Sequence, residues 1–308
     1  MTWLRTLALC GLFLSAPAYA SINEAGAGWS FEPWVIISLA IPAIAYSTSL
    51  ISLYRQGIAQ RVIDWKQVSA FYAGILVLVI ALMSPLDALS ERFFSAHMTQ
   101  HLILMLVAPP LVLLGRPENI MLWMFPLNGR RWVGNIWKRA GAFGKYLNKL
   151  AEPVSVWLLA TFVMWFWHMP KPYSWAFNHP AIHIIEHLSF FATSLAFWRL
   201  CLKPFNREGG GHMTAIVLLF TFMFQSALLG ALLTFAHHPL YKEHAVNHFS
   251  GLSPLADQQL AGLIMWIPAG AVQLLALALL FHHWLSNFNP SSRADKNQGM
   301  SRLPTALG

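Results

Sequence analysis

Long apolar runs alternate with short polar stretches along most of the chain. The runs extend from Trp34 to Leu53, Val68 to Met83, Ala96 to Gly115, Val154 to His168, His183 to Trp198, Met213 to Ala236 and Leu260 to Phe281. A helix that crosses a bilayer needs about 20 mostly apolar residues. The pattern therefore predicts an all-α fold: a polytopic membrane helix bundle with seven transmembrane helices, forming one domain over residues 34–285. The flanking segments read differently. Residues 1–20 place Arg5 before the apolar stretch Leu7 to Leu14 and end in Ala18-Tyr19-Ala20, the pattern of a cleavable signal peptide. Its apolar run is short for an eighth span. Residues 21–33 form a short polar segment on the outer side, and residues 286–308 a polar, Ser-rich cytoplasmic tail expected to be disordered. Between the third and fourth runs, residues 130–150 repeat Trp132, Val133, Ile136, Trp137, Ala140, Phe143, Leu147 and Leu150 near helical spacing, with basic residues between them. That pattern predicts an amphipathic helix on the anionic inner leaflet.

Charge assigns the orientation. An N-terminus outside and seven crossings put the C-terminus in the cytoplasm. Of the 20 lysines and arginines, Arg5 lies in the leader and only Arg92, Lys171 and Lys242 fall on the outer side. The rest, among them Arg55, Arg61, Lys66, Arg116 and Arg199, fall inside, as the positive-inside rule requires. Composition agrees, since 56% hydrophobic and 10% charged residues exclude an ordinary soluble domain. The formal net charge of +8 thus reflects sorting across a bilayer, and no motif points to nucleic acid. Two cysteines, Cys10 and Cys201, exclude a disulfide scaffold and a four-cysteine zinc site.

Ionisable residues inside or at the mouth of a span are costly unless paired or ligated. Of the 13 histidines, His97, His101, His168, His179, His183, His187, His237, His238, His244 and His248 fall on the outer side, and only His212, His282 and His283 inside. His97 and His101 stand four apart, as do His183 and His187, so each pair shares one helical face. Met98 and Met169 flank His97 and His168, and thioether with imidazole suits copper, Cu(I) in particular. The candidate metal ligands are therefore His97, His101, His168, His179, His183, His187, Met98 and Met169. Asp87, Glu186 and Asp257 are candidate acceptors for the imidazole nitrogens that face away from the ion, and would fix the tautomers. For either pair alone the bland alternative is an interfacial histidine bonded at headgroup level. His237, His238, His244 and His248 read as solvated loop residues, and Met105, Met164, Met223 and Met265 as packing residues. Pro109-Pro110 and Pro268 should kink their spans and free carbonyls that a neighbour must satisfy. Gln225 and Gln273 should join helices by hydrogen bonds.

Several separated motifs resemble one family. Ser84-Pro85-Leu86-Asp87, His97-Met98-Thr99-Gln100-His101 and Ala108-Pro109-Pro110-Leu111 are followed in order by Trp165-Phe166-Trp167-His168-Met169-Pro170, His179-Pro180, His183 with Glu186-His187, Phe197-Trp198, Asp257-Gln258-Gln259 and Ile264-Met265-Trp266. Together, over about residues 34–285, they resemble the CtaG-like (caa-type) cytochrome c oxidase assembly factors. The resemblance implies a non-enzymatic assembly factor for a respiratory haem-copper oxidase, binding and delivering copper at the outer face. It implies cytochrome c oxidase subunits and membrane lipids as partners, and the bacterial inner membrane as the location, with the metal cluster facing the periplasm. The signal peptide and the histidine-rich loop from His237 to His248 depart from what the family leads one to expect.

Two other functions use the same residues. A membrane metallo-oxidoreductase or bis-histidine haem protein would need more carboxylates and a third histidine box. A copper transporter would need polar or sulfur ligands continuing across the bilayer, and the inner half shows only scattered methionines and glutamines.

Overall fold

The computed structural model describes residues 28–130, 149–202, 210–244 and 251–288. The expected signal peptide, most of the amphipathic segment 130–150, nearly all of the tail and His248 lie outside the described residues. Every regular element among the described residues is helical. The order is α1 (Pro33–Arg55), α2 (Ala59–Val62), α3 (Trp65–Met83), α4 (Pro85–Ser90), α5 (Phe94–Leu102), a π turn (Ile103–Val107), α6 (Ala108–Leu114), α7 (Pro117–Ile120) and a 3-10 turn (Met121–Met124). After residue 148 follow α8 (Pro153–Trp167), α9 (Pro170–Asn178), α10 (Pro180–Leu202), α11 (Gly210–Thr234), a 3-10 turn (Lys242–His244) and α12 (Pro254–Phe288). Proline opens α1, α4, α7, α8, α9, α10 and α12. Its fixed φ suits the first helical turn, where its missing N–H costs nothing.

Six helical segments are long and apolar enough to cross a membrane: α1, α3, the composite Phe94–Leu114, α10, α11 and α12. The fourth apolar run folds as α8 over only 15 residues, short of the expected full span. Pro153 sets its start. At the other end Pro170 pushes Met169 out of the helical region, to ψ 141°, and a new helix begins. Large apolar side chains such as Ile44, Phe162, Phe224 and Leu274 stay exposed on the bundle surface, as a lipid-facing surface requires.

The third span shows how a proline pair is accommodated. Pro109 and Pro110 offer no N–H to the carbonyls one turn earlier, those of Met105 and Leu106. The helix widens into the π turn, and the Met105 carbonyl accepts a hydrogen bond from Trp198 Nε1 on α10 at 2.8 Å. The donor for the freed carbonyl thus comes from the neighbouring helix. Single π turns often sit beside functional sites, and this one begins two residues after His101. Gln225 accepts from Trp165 Nε1 across α11 and α8 (3.2 Å), and Gln273 accepts from the Ser226 hydroxyl across α12 and α11 (3.0 Å). Both amides join helices.

Two further features fix the bundle around the histidines. At the α11–α12 crossing, a Cβ on Gly262 would sit 2.6 Å from the Gly230 carbonyl oxygen, so only glycine permits this approach. Asp257, at the start of α12, caps α5 from across the bundle. Its carboxylate accepts from the backbone N–H of Phe94 at 2.7 Å and of Ser95 at 3.3 Å, satisfying donors that a helix N-terminus otherwise leaves free.

Candidate metal centre

α5 and the N-terminal part of α10 bring the two histidine pairs together. Within each pair the i, i+4 spacing brings the rings together at an angle, with centroids 4.2 Å apart for His97 and His101 and 4.1 Å for His183 and His187. Between pairs, His97 lies 5.7 Å from His183, and His101 lies 5.3 Å from His187. His168, which ends α8, approaches His101 to 6.2 Å. Glu186 projects into the same space, with Oε1 3.8 Å from His101 Nε2. Ligand atoms of His97, His101 and Glu186 all lie within 4.8 Å of one another.

The hydrogen-bond inventory singles this region out. His97 Nε2, both nitrogens of His101, His168 Nε2, His187 Nε2 and both Glu186 oxygens are buried with no hydrogen-bond partner. Native proteins leave few buried polar groups unsatisfied, and an unpaired buried carboxylate is especially costly. Glu186 is 1% exposed, and His97 and His101 are each 3% exposed. Imidazole and carboxylate are ligand types that metal ions take. His168 is already oriented for that task. Its Nδ1 lies 2.6 Å from the Met164 carbonyl oxygen, which can only accept. The proton therefore sits on Nδ1, and Nε2 carries the free lone pair.

Other expected site residues lie elsewhere. His179 is exposed and bonds the Trp175 carbonyl through Nδ1, because it caps the end of α9 rather than facing inward. Met169 is also exposed, turned out by the bend before Pro170. Met98 is buried at 1% exposure but packs with Phe94, Tyr173, Leu233 and Tyr241. Asp257 serves the α5 cap. Asp87 accepts from Gln100 Nε2 at 2.8 Å, and that amide also donates to the Ala81 carbonyl, so Asp87 steadies the back of α5. Glu186, expected behind the imidazoles, instead stands among them.

One nearby histidine reads as a solvated loop residue in the sequence but is buried. His244 Nδ1 meets the Arg92 carbonyl at 3.3 Å, and its Nε2 meets the Tyr173 hydroxyl at 2.6 Å. The carbonyl can only accept, so Nε2 accepts from Tyr173 and neither nitrogen is left for a metal. Burial lowers its pKa, against the Arg92 carbonyl, Asp257 and Glu243, which raise it. Phe94, Tyr173 and Tyr241 pack with His244 over His97, and the Tyr241 hydroxyl ties this cover to the His168 carbonyl at 2.7 Å.

Comparison with known proteins places the arrangement in a lineage. Residues 44–287 match the cytochrome c oxidase caa3 assembly factor family, Caa3_CtaG. The chain belongs to that family. The whole constellation of His97, His101, His168, Glu186 and His187 falls inside the part shared with caa3 assembly factors. Curated relatives include uncharacterized proteins of Mycobacterium bovis and Mycobacterium tuberculosis, each 24% identical over 283 residues, covering 87% of this chain and 41% of theirs. One from Mycobacterium leprae is 21% identical over 269 residues, covering 83% of this chain and 39% of its own. This caa3-type chain thus spans about two fifths of the length of these relatives. No solved structure matches it.

Proposed function

We propose that this assembly factor binds copper at the centre formed by His97, His101, Glu186 and His187 and delivers it to a cytochrome c oxidase subunit. The observation that carries the reading is the set of buried, unpartnered ligand atoms converging between α5 and α10. An ion seated there would give each of these side chains a partner for one ligand atom. His183 is only partly buried and stands 4.1 Å from His187, so it offers an entry ligand at the rim. Copper would leave by ligand exchange, the rim imidazole giving way first to a ligand of the receiving subunit. The carboxylate balances one positive charge in a medium where an unbalanced ion is costly.

In this reading α8 is a short fourth crossing that completes seven spans. The distribution of lysine and arginine then puts the histidine end at the periplasmic face of a bacterial inner membrane and the C-terminus in the cytoplasm. The protein acts without turnover, as a carrier of cargo.

The test is oxidase maturation in cells that lack this chain. Wild type should restore copper to the purified oxidase. A His97→Ala, His101→Ala variant present in the membrane at the same level should leave the oxidase copper-deficient. Full copper loading by that variant would overturn the delivery reading and leave a scaffold role.

A further inference from the structure

Below the histidine centre lies a cavity of about 40 Å³, enough for a bare ion, since one water needs roughly 10–15 Å³ by the same measure. Its walls include Met98, Met105, Met164, Met265, His101 and His168. Met105, Met164 and Met265, from the π turn, α8 and α12, thus line one cavity, while Met98 of α5 at its edge packs with Phe94 and Tyr173. No sequence rule foresees that, because a methionine in an apolar helix is normally a packing residue. Both histidines are more than nine-tenths buried, and each has a nitrogen without a partner. The π turn carries Met105 on the distorted stretch that begins two residues after His101.

We infer that this cavity is a second, thioether-rich Cu(I) site, set inside the bundle beneath the histidine and glutamate centre and sharing His101 with it. The inference rests on the copper-handling reading above and says where in the chain the ion is held. Its chemistry follows from the walls. Thioether and neutral imidazole are soft, uncharged ligands, which select a soft monovalent ion. No carboxylate lines the cavity, so a divalent ion would bring two uncompensated charges into the membrane interior. A series of rings leads inward from half-buried His183 to His97, His101 and His168, with centroid steps of 5.7, 4.2 and 6.2 Å. Copper entering at the rim is therefore handed from imidazole and carboxylate to imidazole and thioether, without a change of oxidation state.

The experiment uses full-length protein in detergent, loaded anaerobically with Cu(I) and measured by copper content and by X-ray absorption at the copper edge. Wild type should bind about two ions per chain with sulfur in the copper shell; a Met105→Leu, Met164→Leu, Met265→Leu variant should bind about one, without sulfur. Selenomethionine protein removes any doubt about folding, because copper–selenium scattering then reports the contact without substitution. His97→Ala should show the converse loss, keeping the sulfur-ligated ion. Methionine variants that match wild type, with no sulfur or selenium scattering, overturn the inference while leaving the upper centre standing. A His97→Ala protein that keeps all its copper, beside methionine variants that lose theirs, overturns the upper centre and leaves the cavity site.

Discussion

Replacing Glu186 by glutamine should separate a metal ligand from a structural carboxylate. Glu186→Gln preserves shape and removes the ionisable carboxyl from a side chain that is 1% exposed and has no hydrogen-bond partner on either oxygen. Two effects of opposite sign follow. In the metal-free protein the carboxyl has no counter-charge or hydrogen-bond partner to lose, and an amide of the same shape replaces it, so thermal stability should stay level or rise. In the metal-loaded protein it removes the anionic ligand. Two unit charges about 4 Å apart attract by roughly 4 kcal/mol at an effective dielectric constant near 20. Glu186 Oε1 and His101 Nε2 stand 3.8 Å apart, so an ion held by both lies between them and a 4 Å separation is a conservative one for this attraction. At 1.4 kcal/mol per tenfold, and with the amide oxygen retaining part of the attraction, Cu(I) affinity should fall roughly 100- to 1000-fold. Competition against a Cu(I)-specific chelator measures the affinity, and thermal unfolding of the metal-free protein in detergent measures the stability. Unchanged affinity would refute the ligand role. A marked loss of metal-free stability would show instead that the carboxylate holds the helices together.

Three further substitutions test the frame around the centre. Trp198→Phe keeps an aromatic ring but leaves the Met105 carbonyl without its donor, and should cost about 1–3 kcal/mol in thermal or denaturant unfolding; no loss would mean that the proline-freed carbonyl finds another partner. Gly262→Ala places a Cβ 2.6 Å from the Gly230 carbonyl oxygen and should destabilise the α11–α12 crossing by roughly 1–3 kcal/mol, whereas Gly270→Ala, with nothing within 4 Å, should be neutral or stabilising. Equal effects at the two glycines would sink the close-packing explanation. Burial raises the Asp87 carboxyl to about 7, with Glu91 and Glu32 adding repulsion and the Gln100 hydrogen bond opposing them. An unfolded carboxyl titrates near 3.9, so the folded chain binds more protons between about pH 4 and 7, and stability should fall as pH rises through that window. Asp87→Asn, which still accepts from Gln100, should flatten this slope, and an unaltered pH profile would assign it to other groups.

The apolar runs were legible because a bilayer allows few ways to satisfy backbone hydrogen bonds. They locate most helices to within a few residues, α8 to within one, although prolines at both ends hold α8 to 15 residues; α12 runs six residues before and seven beyond its apolar run. The pairing of His97 with His101 and of His183 with His187 was also legible, since i, i+4 spacing fixes a shared face. Which faces meet was not, because periodicity says nothing about which helix lies next to which. For that reason Glu186 read as a supporting acceptor although it stands among the imidazoles. Asp257 read as a supporting acceptor too, although it caps a helix 163 positions earlier in the chain. The same limit hid the meeting of Met105, Met164 and Met265, and the burial of His244 beneath the aromatic cover.

The most direct measurement is the copper content and Cu(I) affinity of the purified full-length protein, beside its His97→Ala, His101→Ala variant. The centre between α5 and α10 requires copper bound by wild type and lost from that centre in the variant, with the helical fold intact by circular dichroism. Copper absent from both proteins, or bound equally by both, would contradict it.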